Sequence, residues 1–180
     1  TVPSVGDIAP TFVLPDDKGN LVSSTTLLQR GPLIVSFYRG DWCMFCNLEL
    51  RALQKSLAEF QRYGASLVGI SPQLVAYSHM NAARRNVRYQ ILSDVGNKIA
   101  DQYGLMFSMP QQMVNAFSTF GIDISEINGS KNEVELPVPA TFVIDTNGRI
   151  AYRFLDADYT LRAEPAEIIA CLMDIGSRAA

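Results

Sequence analysis

Leu33-Ile34-Val35-Ser36-Phe37-Tyr38, then Arg39-Gly40-Asp41, then Trp42-Cys43-Met44-Phe45-Cys46: this run decides the fold. The first segment is apolar, β-branched and aromatic, the composition of a buried strand. Beyond the two cysteines, Cys46, Leu50, Leu53, Leu57 and Phe60 recur at helical spacing and form one core-facing stripe. The C-x-x-C therefore opens a helix, where unpaired backbone N–H groups and the positive end of the dipole favour a thiolate. Two thiols able to pair, one of them poised to ionise, point to a thiol oxidoreductase.

The helix end supplies at most ~2 kcal/mol, and one pKa unit corresponds to about 1.4 kcal/mol. The dipole alone would lower a cysteine by roughly one unit from ~8.5. A larger shift needs hydrogen bonds or a cation. Arg39, four residues before Cys43, is the candidate cation, and Asp41 works against it. The alternative for Arg39 is a surface pair with Asp41 or Glu49.

The chain has 180 residues and a net charge of -3 with signs scattered, which gives neither a nucleic-acid footprint nor a basic membrane-binding face. Its length suits one domain, residues 1–180, with a substantial core. No apolar run approaches the ~20 residues of a membrane helix. Residues 1–10 show no charged-then-apolar targeting pattern, although a start at Thr1 leaves a removed leader open. Three cysteines are too few for a stapled secreted scaffold, so a reducing compartment, the cytoplasm, is expected.

Phe12-Val13-Leu14 and Leu21-Val22 around Asp16-Asp17-Lys18-Gly19-Asn20 predict an N-terminal hairpin. Strands are then expected at 33–38, 66–71 and 89–92, and helices at 43–62, 73–85 and 96–103. Residues 105–137 interrupt this alternation with a helix from Pro110 to about 120 and a loop at Gly129-Ser130-Lys131-Asn132. A hairpin around Asn147-Gly148 joins Thr141–Ile144 to Ile150–Phe154, and Pro165 opens a last helix to about 175. The expected architecture is α/β and thioredoxin-like: a central mixed sheet flanked by helices, with an N-terminal hairpin extension and a helical insertion.

Three stretches resemble the AhpC/TSA peroxiredoxin-like branch of the thioredoxin superfamily, and together they span nearly the whole chain. Gly6-Asp7-Ile8-Ala9-Pro10-Thr11-Phe12-Val13-Leu14-Pro15-Asp16 is similar to the family's opening segment, and Leu92-Ser93-Asp94 with Tyr103-Gly104 to its middle. Phe37-Tyr38-Arg39-Gly40-Asp41-Trp42-Cys43 is close to the active-site stretch of a bacterial subgroup. The resemblance implies reduction of hydroperoxides through a dithiol/disulfide cycle, at the expense of a thioredoxin-like or small-thiol reductant, without a cofactor or bound metal. A homodimer is left open.

The reactive centre departs from the family pattern P-x-x-x-T-x-x-C. On that pattern Arg39 replaces the proline, Cys43 the threonine, and Cys46 takes the place of the peroxide-attacking cysteine, with Glu49 three positions on. Pro139, where the two-cysteine members carry an arginine, resembles the cis-proline that faces the C-x-x-C of thioredoxins. That implies a cis Val138–Pro139 bond and keeps a rival reading open, exchange with protein disulfides. The family register makes Cys46 the peroxide nucleophile, supported by Arg39 and Glu49. The helical stripe instead makes Cys46 the inner residue and Cys43 the exposed thiol at the cap. Regular helical neighbours three apart hold their Cβ atoms ~5–6 Å apart, too far for a disulfide, so Cys43 belongs outside regular helix.

Other candidates are weaker. Cys171 shares its helix face with Ile168, Leu172 and Ile175 and reads as a core thiol rather than a distant resolving cysteine. His79 reads as exposed or capping. A zinc site from Cys43, Cys46, Cys171 and His79 lacks a second closely spaced ligand pair. Trp42 is expected to shield the thiols and shape a docking surface. Met106, Phe107, Met109 and Met113 are expected to pack the inserted helix.

Overall fold

The computed structural model describes residues 1–131 and 133–179; Asn132 of the expected 129–132 loop lies outside the described residues. A five-stranded sheet forms the centre: β3 (Leu33–Phe37), β4 (Ser66–Ser71), β5 (Gln90–Ser93), β8 (Ala140–Ile144) and β9 (Ile150–Leu155), in the order β5-β4-β3-β8-β9. β3, β4 and β5 run parallel, while β8 is antiparallel to both β3 and β9. Every residue of β3 and β8 is buried, as expected of strands covered on both faces.

Leu33, Val35 and Phe37 point to one face, against Phe12, Leu14, Val22, Tyr103 and Phe142. That face is closed by the hairpin of β1 (Val13–Pro15) and β2 (Leu21–Ser23), with α1 (Ser24–Leu28) and α4 (Lys98–Gln102). The resembling segments meet here, since the Tyr103 hydroxyl donates to the Pro10 carbonyl at 3.0 Å and Asp16 bridges to Leu92. Ile34, Leu67, Ile91 and Val143 point to the opposite face, against α2 (Met44–Arg62) and α7 (Pro165–Ala179). The whole stripe Cys46, Leu50, Leu53, Leu57 and Phe60 is buried there. α2 ends in a Schellman motif: Ala65 N donates to Phe60 O, Gly64 N donates to Gln61 O, and Gly64 holds a φ of +73°.

Residues 105–137 hold more than the helix α5 (Gln111–Thr119). β6 (Met106–Ser108) pairs antiparallel with β7 (Glu135–Pro137), and α6 (Ile124–Asn128) follows α5. This unit encloses a small core of Met109, Ile124, Val134 and Leu136, with Trp42 packed at its edge. Met109 takes the expected packing role, but Met113 is exposed and Met106 and Phe107 lie on a strand.

The 145–149 turn differs from the two-residue hairpin that Asn147-Gly148 suggests. Asp145 and Arg149 are still paired through Asp145 N and Arg149 O, which leaves three residues in the loop. Gly148 takes a φ of +80° whereas Asn147 has none of the positive φ a type I′ turn requires. The Asp145 carboxylate accepts from the N–H groups of Asn147 and Arg149, and this local cap selects the longer loop.

Candidate active site

α2 starts just beyond the carboxyl end of β3, and Cys43 is its N-cap, with φ -86° and ψ 114°. Outside regular helix, as the disulfide argument requires, Cys43 lies with its Sγ 2.6 Å from Cys46 Sγ; both cysteines are free. The Cys43 sulfur accepts from the Cys46 S–H, from the Cys46 backbone N–H at 3.4 Å and from Arg39 Nη2 at 3.1 Å. Asn47 ties the cap down, its amide donating to the carbonyls of Asp41 and Cys43.

These donors separate the two thiols. The Cys46 S–H bond, the Arg39 charge and the cap N–H together outweigh burial and lower Cys43 to about 6. Cys46 is fully buried, and burial with the neighbouring Cys43 sulfur pushes its thiol well up. Cys43 is therefore the more acidic sulfur and Cys46 the one that holds its proton more tightly. Two expectations change. Arg39 donates to the Cys43 sulfur at 3.1 Å, and its charge favours ionisation of Cys43 as well as of Cys46. Cys43 is at the cap as expected but only 3% exposed. The cover comes from the segment between β9 and α7: the Tyr159 ring lies 4.7 Å from the Arg39 guanidinium and 5.8 Å from the Phe45 ring.

Arg39 is itself buried, and its guanidinium stands between the faces of Tyr159 and Trp42. It does not form the alternative surface pair with Asp41 or Glu49, each of which has another arginine. Asp41 Oδ2 lies 2.6 Å from Arg85 Nη1, and Glu49 Oε2 lies 2.8 Å from Arg162 Nε, an ion pair without hydrogen-bond alignment. Glu49 also accepts from the Thr141 hydroxyl at 3.2 Å, and burial raises its carboxyl to about 7. Arg162 Nη2 reaches to 3.9 Å from Cys46 Sγ, so the second thiol has its own cation.

Trp42 packs edge-on to Phe117 of α5, 4.9 Å between centroids, and joins the dithiol to the inserted unit. It is half-buried, which combines the shielding and packing roles. Pro139 is buried just before β8, but the Val138–Pro139 bond is trans, contrary to the expected cis bond. Val138 N already donates to Leu105 O, so the chain passes from β7 into β8 through an extended trans link. His79 is exposed, with Nδ1 3.0 Å from the Asp17 carbonyl oxygen, and Cys171 is half-buried against the α7 side of the core.

Arg162, Arg85, Thr141 and Tyr159 were not legible as site residues, since they lie 44 or more positions from the side chains they contact at the site. One signal did exist for Arg162. Glu49 falls on the buried stripe, and a carboxyl there requires a cation or donor from another element.

A thioredoxin-fold frame with a dithiol at a helix N-cap defines a thiol-redox protein class. Residues 5–153 match the AhpC/TSA family model, and the chain belongs to that family. It is 29% identical over 149 residues to the chloroplastic peroxiredoxin Q of Oryza sativa subsp. japonica; the match covers 83% of this chain and 58% of that relative's length. The chain thus spans little more than half of the peroxiredoxin Q relatives it matches. The crystal structure of peroxidoxin BcpB from Mycobacterium tuberculosis superposes with a TM-score of 0.75 at 25% identity, covering 95% of this chain and 97% of that one. The reduced Plasmodium vivax 2-Cys peroxiredoxin shares the fold, with a TM-score of 0.72 at 21% identity, 98% of this chain and 84% of that one being covered.

Proposed function

We propose that this protein is a thiol peroxidase in which Cys43 attacks a hydroperoxide and Cys46 resolves the product. The carrying observation is the Cys43 sulfur accepting from Arg39 and from the cap N–H, with the Cys46 sulfur 2.6 Å away. The Cys43 thiolate attacks one oxygen of ROOH and the O–O bond breaks. The alkoxide takes a proton and leaves as ROH, and Cys43 becomes a sulfenic acid. The Cys46 sulfur then attacks Cys43 Sγ, its proton goes to the departing hydroxide, and water and a Cys43–Cys46 disulfide result. Two electrons from a thioredoxin-like dithiol or two small thiols restore the pair. This reading moves the first attack from Cys46, where the family register put it, to Cys43.

Three features support a small substrate over protein disulfides: Cys43 is only 3% exposed, Tyr159 lies over the site, and the bond before Pro139 is trans. A reducing compartment, with the cytoplasm as our choice, suits a centre that must be returned to dithiol. The test compares hydroperoxide consumption with reduction of insulin disulfides by the same protein and reductant. Peroxide turnover with negligible insulin reduction is expected. A sulfenic-acid trap should label Cys46→Ser protein and leave Cys43→Ser protein unlabelled; the reverse pattern restores Cys46 as nucleophile.

A further inference from the structure

Around the dithiol the structure gathers three arginines and two carboxylates, buried or largely buried, from four separate stretches of chain. Glu49 and Arg162 pair at 2.8 Å, and Asp41 and Arg85 pair at 2.6 Å. Among the described residues, Arg39 forms no ion pair with a carboxylate and donates to the Cys43 sulfur. With both acids ionised the set carries one positive charge in excess, and an ionised Cys43 would balance it.

This allocation is not the one proximity along the chain favours. Asp41 is two residues from Arg39 and two from Cys43, whereas Arg85 is 44 residues away on α3 (Val75–Arg85). The Asp41 carboxylate is turned to the far side by donors from three elements. Tyr38 Oη donates to Oδ1 at 3.2 Å, while Gln73 Nε2 at 3.2 Å and Arg85 Nη1 donate to Oδ2. Gln73 also accepts from the Asp41 backbone N–H at 2.6 Å, which fixes the loop itself. Arg85 is 4% exposed, donates to the Ser78 carbonyl and lies 3.5 Å from the partly exposed Asp17. Of these two carboxylates Asp41 is the nearer, at 2.6 Å against 3.5 Å, and the more buried.

We propose that Arg85 is a positioning residue for the reactive thiol: by holding Asp41 it keeps that carboxylate off Arg39, and so leaves Arg39 to the Cys43 sulfur. The proposal rests on Cys43 being the reactive thiolate. Without Arg85, Asp41 keeps Arg51 and Arg84 on the rim of its pocket and has Arg39 two residues away along its own loop, and a carboxylate draws an arginine more strongly than a sulfur does. The groups facing Cys43 are then Arg39, Cys46, Glu49 with Arg162, and a competing Asp41. Around Asp41 there remain Tyr38, Tyr77 and Asp17, with Arg51 and Arg84 on the rim of a small polar pocket.

The test measures the ionisation of Cys43 in reduced full-length protein, by the pH dependence of iodoacetamide alkylation with the site mapped by mass. Arg85→Met should raise the Cys43 pKa by roughly one unit, about tenfold less thiolate at pH well below the pKa. Asp41→Asn should leave it unchanged or lower it, because the competing acid is gone. The double variant should return to within about 0.3 units of the parent, since a neutral residue 41 needs no Arg85. A purely structural role predicts the opposite for the double variant, which loses both partners and should be the most perturbed. An unmoved pKa in Arg85→Met, or a double variant as high as the single, overturns the proposal. If Arg85→Met does not fold, Asp41→Asn decides alone, and a raised pKa there refutes it. No peroxide enters the measurement, so a parent protein without peroxidase activity would sink the proposed function and leave this result standing.

Discussion

Arg39→Met is the substitution that isolates the cation from the rest of the cap. Methionine keeps much of the apolar stem between Tyr159 and Trp42 while removing the charge and the 3.1 Å donor to Cys43. A hydrogen bond to a charged group contributes about 1.5–3 kcal/mol, or about 1–2 pKa units. The Cys46 S–H and the cap N–H remain, so Cys43 should not revert to its ordinary value. From about 6 it should rise to about 7–8. At pH 7 the thiolate then falls from about nine-tenths to between about one-half and one-tenth of the molecules. Ionisation alone should slow peroxide consumption at pH 7 by about two- to tenfold, and that part of the deficit should vanish by pH 9.

Rates at the two pH values, with the alkylation profile of Cys43, separate ionisation from any direct effect of Arg39 on the departing oxygen. A profile that stays at about 6, or falls, would refute the assignment of Arg39 as the thiolate's cation. The same shift carries a stability signature. The folded pKa of Cys43 lies below its unfolded value, so its contribution is full above about pH 9 and is lost as pH falls through about 6. Denaturant midpoints of the reduced protein should therefore show less of this acid-side loss in Arg39→Met.

Glu49→Gln should remove an inflection near pH 7 from the rate profile and leave the one near 6, because burial places the Glu49 carboxyl at about 7. Its folded pKa is raised, so its stabilising contribution is present below about 4.5 and lost as pH rises through about 7. The variant should flatten the stability curve across that window, and an unchanged curve would count against a raised Glu49 carboxyl. Gly40→Ala should destabilise by about 1–3 kcal/mol and raise the Cys43 pKa. At a φ of +152° its Cβ would stand 2.4 Å from Trp42 Nε1 and 2.9 Å from Gln73 Oε1, so the loop must shift; denaturation and alkylation together check both effects, and a variant matching the parent in both would show that the loop adapts freely.

What the sequence revealed was what local periodicity encodes. The stripe from Cys46 to Phe60 predicted both the helix and its buried face, and the β-branched run at 33–38 predicted the central strand, because each pattern repeats within a few residues. β6 and β7 left no such trace: each is three residues long, and they pair across 26 intervening positions. α1 and α6, at five residues each, are too short for a helical stripe to declare itself. At the site, Cys43, Cys46 and Arg39 were legible from spacing alone, since they lie within one turn and its approach. The partner of Glu49 was not, because Arg162 arrives from the far side of β9. The cis bond expected at Pro139 came from resemblance to thioredoxins, and here the β7–β8 link imposes the ordinary trans geometry.

The exchange of a threonine for Cys43 in the family register explains why this centre differs from that pattern without disturbing the fold. A cysteine at the cap adds one sulfur where the chain is already outside helical geometry, so the buried stripe of α2 and its packing on β3 are untouched. It also brings the resolving thiol to 2.6 Å, within the first turn of the same helix. Closing the disulfide then requires a local adjustment at the N-cap, where the backbone is extended, rather than the movement of a second element toward the first. Burial of both sulfurs is compatible with the proposed cycle for that reason: the product of the first attack would form beside the group that consumes it, near Tyr159 and Trp42. Arg39 donates to Cys43 and its charge also reaches Cys46, while Arg162 stands 3.9 Å from Cys46, so in the proposed cycle the charge moved by thiolate attack and resolution would stay between two guanidinium groups.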